Sequence, residues 1–127
     1  MCGEYKFLIC KRCGKLAGVI IDTPAPTMCC GEAMSELIPN TVEASAEKHL
    51  PVVKAEGDRV SVNVGSAAHP MDEAHHISWI YLLTQNGGQR KCLQAGGPPE
   101  AEFILTDSQA VAAFAYCNLH GLWKTDI

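Results

Sequence analysis

The chain has 127 residues and a mass of 13.7 kDa, room for one ordinary domain or for a metal-stapled module joined to a domain of about 90 residues. Hydrophobic residues make up 47% and charged residues 19%, with a mean hydropathy of +0.03, so there is apolar material for a packed core and too much of it for a disordered chain. Ten Lys+Arg against fourteen Asp+Glu give a net charge of -4 and a pI near 5.7, which disfavours a broad cationic surface for nucleic acid or anionic lipid.

Residues 1–37 hold four Lys/Arg and four Asp/Glu, leaving six and ten to residues 38–127, an asymmetry that points to two regions. The opening MCGEYKFLIC has neither a basic n-region nor a long apolar h-region, and no apolar run approaches the ~20 residues that span a bilayer, so no membrane segment is expected and a cytoplasmic setting is. The first region has short apolar runs at 5–9 and 16–21, then the turn-rich TPAPT and a Cys-Cys-Gly. That is too little to bury a core without a staple. The stretch IPNTVEAS, residues 38–45, reads as the linker. Beyond it, residues 59–64 alternate strictly, with Val60, Val62 and Val64 on one face, the period of a half-buried strand. Residues 76–84 (HISWIYLLT) are β-branched and aromatic and run into Asn86-Gly87-Gly88, a hairpin signal, with a partner strand expected at 90–94. Gly96-Gly97-Pro98-Pro99 breaks the chain, 101–106 reads as a further strand and 122–124 as a last one. Short strands at this spacing suggest a β-sandwich. Residues 107–116 are compatible with helix, through four alanines and an Asp107 cap, and with strand, through Val111, Ala113 and Ala115.

Seven cysteines in a reducing compartment stay thiols, so their grouping is read as metal binding before disulfides. Cys10-Lys11-Arg12-Cys13-Gly14 is a knuckle whose two thiolates can reach one ion. Cys29-Cys30 is the other pair; adjacent side chains normally diverge, so bringing both to the same ion predicts a distorted tetrahedron of four sulfurs. Four sulfurs suit zinc and iron about equally, and a purely structural zinc staple stands beside a redox iron.

The second region carries Glu47-Lys48-His49, His69-Pro70-Met71, His75-His76 and Cys117-Asn118-Leu119-His120-Gly121. One histidine alone is more often a hydrogen-bonded core or surface residue than a ligand. Here His69 and His75 flank a Pro-containing loop, Cys117 and His120 have a chelating Cys-x-x-His spacing, and His49 stands before Pro51 at a strand entrance. Four imidazoles and one thiolate are too many donors for a tetrahedral zinc and suit a square-pyramidal iron with one position open. His76 competes with His75, since neighbouring strand residues face opposite sides.

Taken together these motifs resemble desulfoferrodoxin, the two-iron form of superoxide reductase, over nearly the whole length. CKRCG and MCCGE are similar to that family's desulforedoxin-like, rubredoxin-type module, and EKHLP, HPM, HHISW and YCNLHG to the signatures of its catalytic domain, in order and spacing. The resemblance implies a mainly β protein: an iron-tetracysteine module at residues 1–37, then an immunoglobulin-like antiparallel β-sandwich at residues 38–127, which also favours strand for 107–116. It implies two irons per chain. Cys10, Cys13, Cys29 and Cys30 would hold an Fe(Cys)4 centre, and His49, His69, His75 and His120, with Cys117 axial, an Fe(His)4(Cys) centre; the preference for His75 over His76 rests mainly on this likeness.

The same likeness implies reduction of superoxide to hydrogen peroxide, a homodimer, and an electron donor such as rubredoxin or an NAD(P)H-dependent reductase, with the first iron as relay or store. Lys48 is expected to attract superoxide against the acidic field of the protein and to organise water for proton supply, and Glu47 to ligate the oxidised iron once peroxide has left. Cys2, Cys92 and His76 depart from the pattern: Cys2 as a terminal thiol prone to oxidation, Cys92 as a small buried hydrophobe, and His76 in place of an aromatic residue beside the ligand. The rival readings are an electron-transfer or metal-storage protein with a saturated second site, a zinc-ribbon protein, and a dismutase.

Overall fold

The computed structural model describes residues 5–127, so Cys2 lies outside the described residues. The chain divides into two compact units, Met1–Ile38 and Pro39–Ile127.

In the first unit β1 (Lys6–Ile9) pairs antiparallel with β2 (Leu16–Val19) on one side and β5 (Ser35–Glu36) on the other. The β1–β2 connection is the Cys10–Cys13 knuckle, closed by Gly14 N–H donating to Cys10 O at 2.8 Å and Cys10 N–H to Lys15 O at 2.9 Å. A two-stranded hairpin, β3 (Met28–Cys29) and β4 (Glu32–Ala33), completes the unit. Its two loop residues, Cys30 at φ 52° and Gly31 at φ 78°, are both left-handed, the requirement of a tight type I′ turn. Glycine tolerates that conformation and cysteine does so at a steric cost. Of the described hydrophobic side chains in this unit only Phe7 and Cys10 are buried, in keeping with a fold too small to stand on apolar burial.

The second unit is an immunoglobulin-like sandwich of seven antiparallel strands. A single helical turn, α1 (Ala46–His49), leads into β6 (Pro51–Glu56) and β7 (Arg59–Val64); with β10 (Glu100–Ile104) these form one sheet in the order β10-β7-β6. β8 (Ile77–Thr84), β9 (Gly87–Cys92), β11 (Ala110–Cys117) and β12 (Gly121–Asp126) form the other, in the order β12-β11-β8-β9. The alternation of β7 aims Val60, Val62 and Val64 between the sheets, where they meet Phe103 of β10, Ile80 and Leu82 of β8, and Ala113 and Ala115 of β11. Cys117, at 0% exposure, closes one end of this core.

Of the segment 107–116, open between helix and strand by propensity, residues 107–109 stay outside any strand and the rest enters β11, because Ala113 and Ala115 fit against the opposite sheet while the chain pairs with β8 and β12 on both edges. The hairpin strand begins earlier than expected, at Gly87, with only Gln85 and Asn86 in the turn. The stretch 38–45 is less free than a linker: Asn40, at φ 61°, donates its N–H to Leu122 O (3.0 Å) and its Nδ2–H to Lys124 O (3.0 Å), and its Oδ1 accepts from Lys124 N–H (2.9 Å). Cys92 is exposed on β9 and is no core residue, since every residue of that edge strand faces solvent.

Both tryptophans, Trp79 and Trp123, belong to the second unit, so tryptophan fluorescence reports on the sandwich alone. Phe103 is 1% exposed at the centre of the core, and Phe103→Ala is expected to lower sandwich stability by about 3–5 kcal/mol, read as a shift of the fluorescence-detected urea midpoint.

Candidate metal centres

The four N-terminal thiols converge. The Sγ atoms of Cys10, Cys13, Cys29 and Cys30 all lie within 4.8 Å of one another, with Cys13 to Cys29 at 3.7 Å and Cys29 to Cys30 at 3.9 Å. These separations are far beyond a disulfide and match the edge of about 3.8 Å that a tetrahedron with metal–sulfur bonds of about 2.3 Å would have. The left-handed turn at Cys30-Gly31 is what turns two adjacent cysteines to the same side. Electrostatics point to a cation too. Backbone N–H groups, that of Cys13 foremost, pull the Cys10 thiol down to about 7, whereas Cys29 is pushed up to about 12, first by its contact with Cys10, and Cys30 is raised, first by Cys13. Without a positive ion Cys29 and Cys30 resist ionising beside Cys10; four thiolates together need a metal.

In the second unit the imidazoles form a square. Ring centroids are 4.6 Å apart for His49–His69 and for His69–His75, 5.1 Å for His75–His120 and 4.8 Å for His120–His49, each pair close to perpendicular, while the diagonal His49–His75 spans 6.2 Å. They come from four places: His49 from α1, His69 from the loop after β7, His75 from the turn before β8, and His120 from the β11–β12 turn. Ligating atoms of His49, His69, His75 and Cys117 lie within 4.8 Å of one another; His120 falls outside that mutual limit, but its Nδ1 is 3.0 Å from His49 Nε2 and 3.8 Å from Cys117 Sγ.

Hydrogen bonds on the far side of the rings decide which nitrogens face inward. His49 Nδ1–H donates to Ser45 O at 2.7 Å and His69 Nδ1–H to Pro70 O at 2.6 Å; a carbonyl can only accept, so each Nε2 carries a lone pair. Those two Nε2 atoms face each other at 3.2 Å. His75 Nε2 is buried with no hydrogen-bond partner. Lone pairs aimed at one another and an orphaned buried nitrogen are costly unless a cation lies among them. The donor set therefore fits a metal held by three Nε2 atoms, one Nδ1 and a thiolate. Burial, ahead of the neighbouring imidazoles, holds His49 below the usual imidazole range and His69 down to about 4, so both are neutral and ready to ligate at pH 7.

Glu47 and Lys48 are exposed on the same helical turn as buried His49, and among the described residues neither enters an ion pair. The turn is braced from behind. Gly65 N–H donates to Leu50 O (2.9 Å), Ser66 Oγ–H to Glu47 O (3.3 Å) and Ala67 N–H to Glu47 O (3.3 Å). Gly65 has φ 85°, and a Cβ there would sit 2.6 Å from Lys48 O.

His76 lies outside the square: its Nδ1–H is shared between Asp72 O (3.0 Å) and Glu73 O (3.2 Å). Sequence reasoning missed Trp123, which stacks on His49 at 4.8 Å and donates Nε1–H to His120 O at 3.2 Å, and it missed the Gly65–Ala67 brace. A Trp three residues after a candidate ligand was the available signal for the first; the second had none, because it depends on which turn Gly65 packs against.

Two expectations follow. Unfolded histidine protonates near 6.5 and folded His69 only near 4, so between these values the unfolded chain binds more protons; the metal-free sandwich therefore loses stability as pH falls from about 6.5 to 4, seen as a falling urea midpoint by tryptophan fluorescence. Gly65→Ala should keep the sandwich folded but displace the Glu47–Lys48 turn at a cost of about 1–3 kcal/mol, whereas Gly57→Ala, left-handed with no atom near the added Cβ, should cost less.

A family model described as desulfoferrodoxin matches residues 41–126. The chain is 39% identical over 126 residues to a desulfoferrodoxin of Nitratidesulfovibrio vulgaris, covering 99% of each chain. It is 42% identical over 116 residues to a desulfoferrodoxin homolog of Archaeoglobus fulgidus, covering 91% of this chain and 92% of that one. Among solved structures it is similar to the superoxide reductase from Treponema pallidum, at 38% identity and a TM-score of 0.83 over 98% of this chain and 100% of the other. With two convergent donor clusters and this likeness across both units, the chain belongs to the desulfoferrodoxin family.

Proposed function

We propose that the protein is a superoxide reductase: one superoxide, one electron and two protons give one hydrogen peroxide, with no oxygen released. The observation that carries the reading is the square of four imidazoles beside the buried Cys117 thiol, with an exposed Glu47-Lys48 pair on the turn that bears His49. The similarity to a superoxide reductase along nearly the full chain supports it.

In this reading His49, His69, His75, His120 and Cys117 hold one iron, and Cys10, Cys13, Cys29 and Cys30 the other. An iron held by the four histidines and Cys117 would supply the electron to superoxide. The carbonyls of Ser45 and Pro70 keep the imidazoles of His49 and His69 in the ligating tautomer. Cys117, fully buried, sets an electron-rich sulfur beside the rings. Lys48 places a cation at the rim of a protein whose net charge of -4 repels an anionic substrate, and water held at its ammonium provides protons. Glu47, a hard oxygen donor on the same turn, suits the oxidised ion and aids departure of product.

The first unit serves as the electron relay domain and the second as the catalytic domain. The donor is an external one-electron carrier such as rubredoxin or an NAD(P)H-dependent reductase. The protein works as a cytoplasmic homodimer; the six described cysteines, all free thiols, suit a reducing compartment.

Iron analysis joined to a stoichiometric superoxide assay tests the whole. Two irons per chain and peroxide without oxygen are expected; oxygen evolved with the peroxide would mean dismutation, and a ferrous protein blind to azide would mean a saturated electron-transfer site. Lys48→Ala should slow superoxide capture about tenfold or more at low salt with iron retained, and the difference should shrink as ionic strength rises. Glu47→Ala should leave capture unchanged. Cys13→Ser should remove the tetrathiolate spectrum and leave the bimolecular reaction with superoxide intact.

A further inference from the structure

His75 differs from the other three histidines in how it is held. His49 and His69 each anchor the far nitrogen on a carbonyl, and His120 stands in the short turn between two paired strands, with its carbonyl taken by Trp123. The His75 ring has no hydrogen-bonded anchor of its own among the described residues. Its backbone is gripped instead. Asp72 Oδ1 accepts from His75 N–H at 2.8 Å, and Asp72 N–H donates to His75 O at 3.1 Å.

Asn118 grips both neighbours of His75. Its Oδ1 accepts from His76 N–H at 2.9 Å, its Nδ2–H donates to Ala74 O at 3.0 Å, and its own backbone N–H donates to His76 O at 3.2 Å. This happens where the β8–β11 ladder is irregular: the register shifts between Tyr116 and Cys117, so that Cys117 faces Ile77 and regular pairing stops. Asn118 is the residue immediately after Cys117 and two before His120. One side chain therefore ties the part of the β7–β8 loop that bears His75 to the end of β11 and the turn that bear Cys117 and His120.

We propose that Asn118 is a positioning residue that locks His75 to the Cys117–His120 turn and so sets the geometry of the second metal centre. The idea rests on the reading of that centre as an iron site. The Asn118 side chain is exposed, so truncating it opens no core cavity and the fold has no reason to fail. What is lost is the two side-chain hydrogen bonds that orient the residues on either side of His75. Supporting groups of this kind typically change metal retention by about 10–100-fold.

The test uses the full chain with both irons bound, and the tetrathiolate centre serves as an internal control. In Asn118→Ala, the electronic spectrum and midpoint potential of the second iron should shift, and its release to a chelator should accelerate about tenfold, with the tetrathiolate spectrum unchanged. Asn118→Asp keeps the acceptor for His76 N–H but cannot donate to Ala74 O, and should fall between parent and Ala. An Ala variant that matches the parent in spectrum, potential and release rate overturns the proposal; so does one in which both irons change together, the mark of general loosening. If the Ala variant is recovered without its second iron, the Asp variant decides: an intermediate shift supports the proposal and parent-like behaviour overturns it. Failure of the functional reading would look different, because the unsubstituted protein would then lack the second iron or ignore superoxide.

Discussion

Two imidazole nitrogens, each with its proton already committed elsewhere, face each other at 3.2 Å across the centre of the second unit. That contact is unfavourable for the bare protein. The sandwich supports it because the ring planes are set by carbonyls of Ser45 and Pro70, and because Trp123 stacks on His49 from the side. Pre-oriented lone pairs in a dry pocket bind a cation without the cost of reorganising water or rotamers. The β-sandwich is thus less a container for the site than the source of its rigidity: its strands fix where the turn before β6, the β7–β8 loop and the β11–β12 turn begin and end.

The two units solve the metal problem differently. The sandwich has a hydrophobic core of its own, with Val62, Ile80, Leu82 and Phe103 at most 1% exposed, and the metal centre sits at the end of that core. Among its described hydrophobic side chains the first unit buries only Phe7 and Cys10, so four thiols converging on one ion would supply the staple that apolar burial does not. The consequence is a division of labour expected of a family with two irons. One centre is closed by four sulfurs and suited to passing electrons, and the other is five-donor and suited to binding a small anion.

The function proposed for the second centre also draws on the exposed pair next to His49. Glu47 and Lys48 share one helical turn with His49, so a single backbone feature, braced by Gly65, Ser66 and Ala67, positions a ligand, a cation and a carboxylate together. Moving that turn moves all three. The anion steering proposed for Lys48, in a protein that is acidic as a whole, rests on that shared turn.

Sequence alone determined the donors and their grouping, because ligand chemistry is a property of residue type and short spacing: Cys-x-x-Cys, Cys-Cys-Gly, Cys-x-x-His and the scattered histidines were legible without coordinates. It also determined the strands of strict alternation, since Val60, Val62 and Val64 admit only one burial pattern. Tertiary structure decided the rest. Strand rather than helix at 110–117 follows from pairing on both edges, which propensity cannot see. Cys29 and Cys30 meet one site because of the left-handed backbone at Cys30, and His75 turns inward while His76 turns out because Asn118 and Asp72 hold the loop between them. The pairing of β11 and the grip of Asn118 join residues remote in the chain, and such contacts exist only once the strands have assembled; the turn at Cys30 and the Asp72–His75 bond are local, but residue type alone does not announce them.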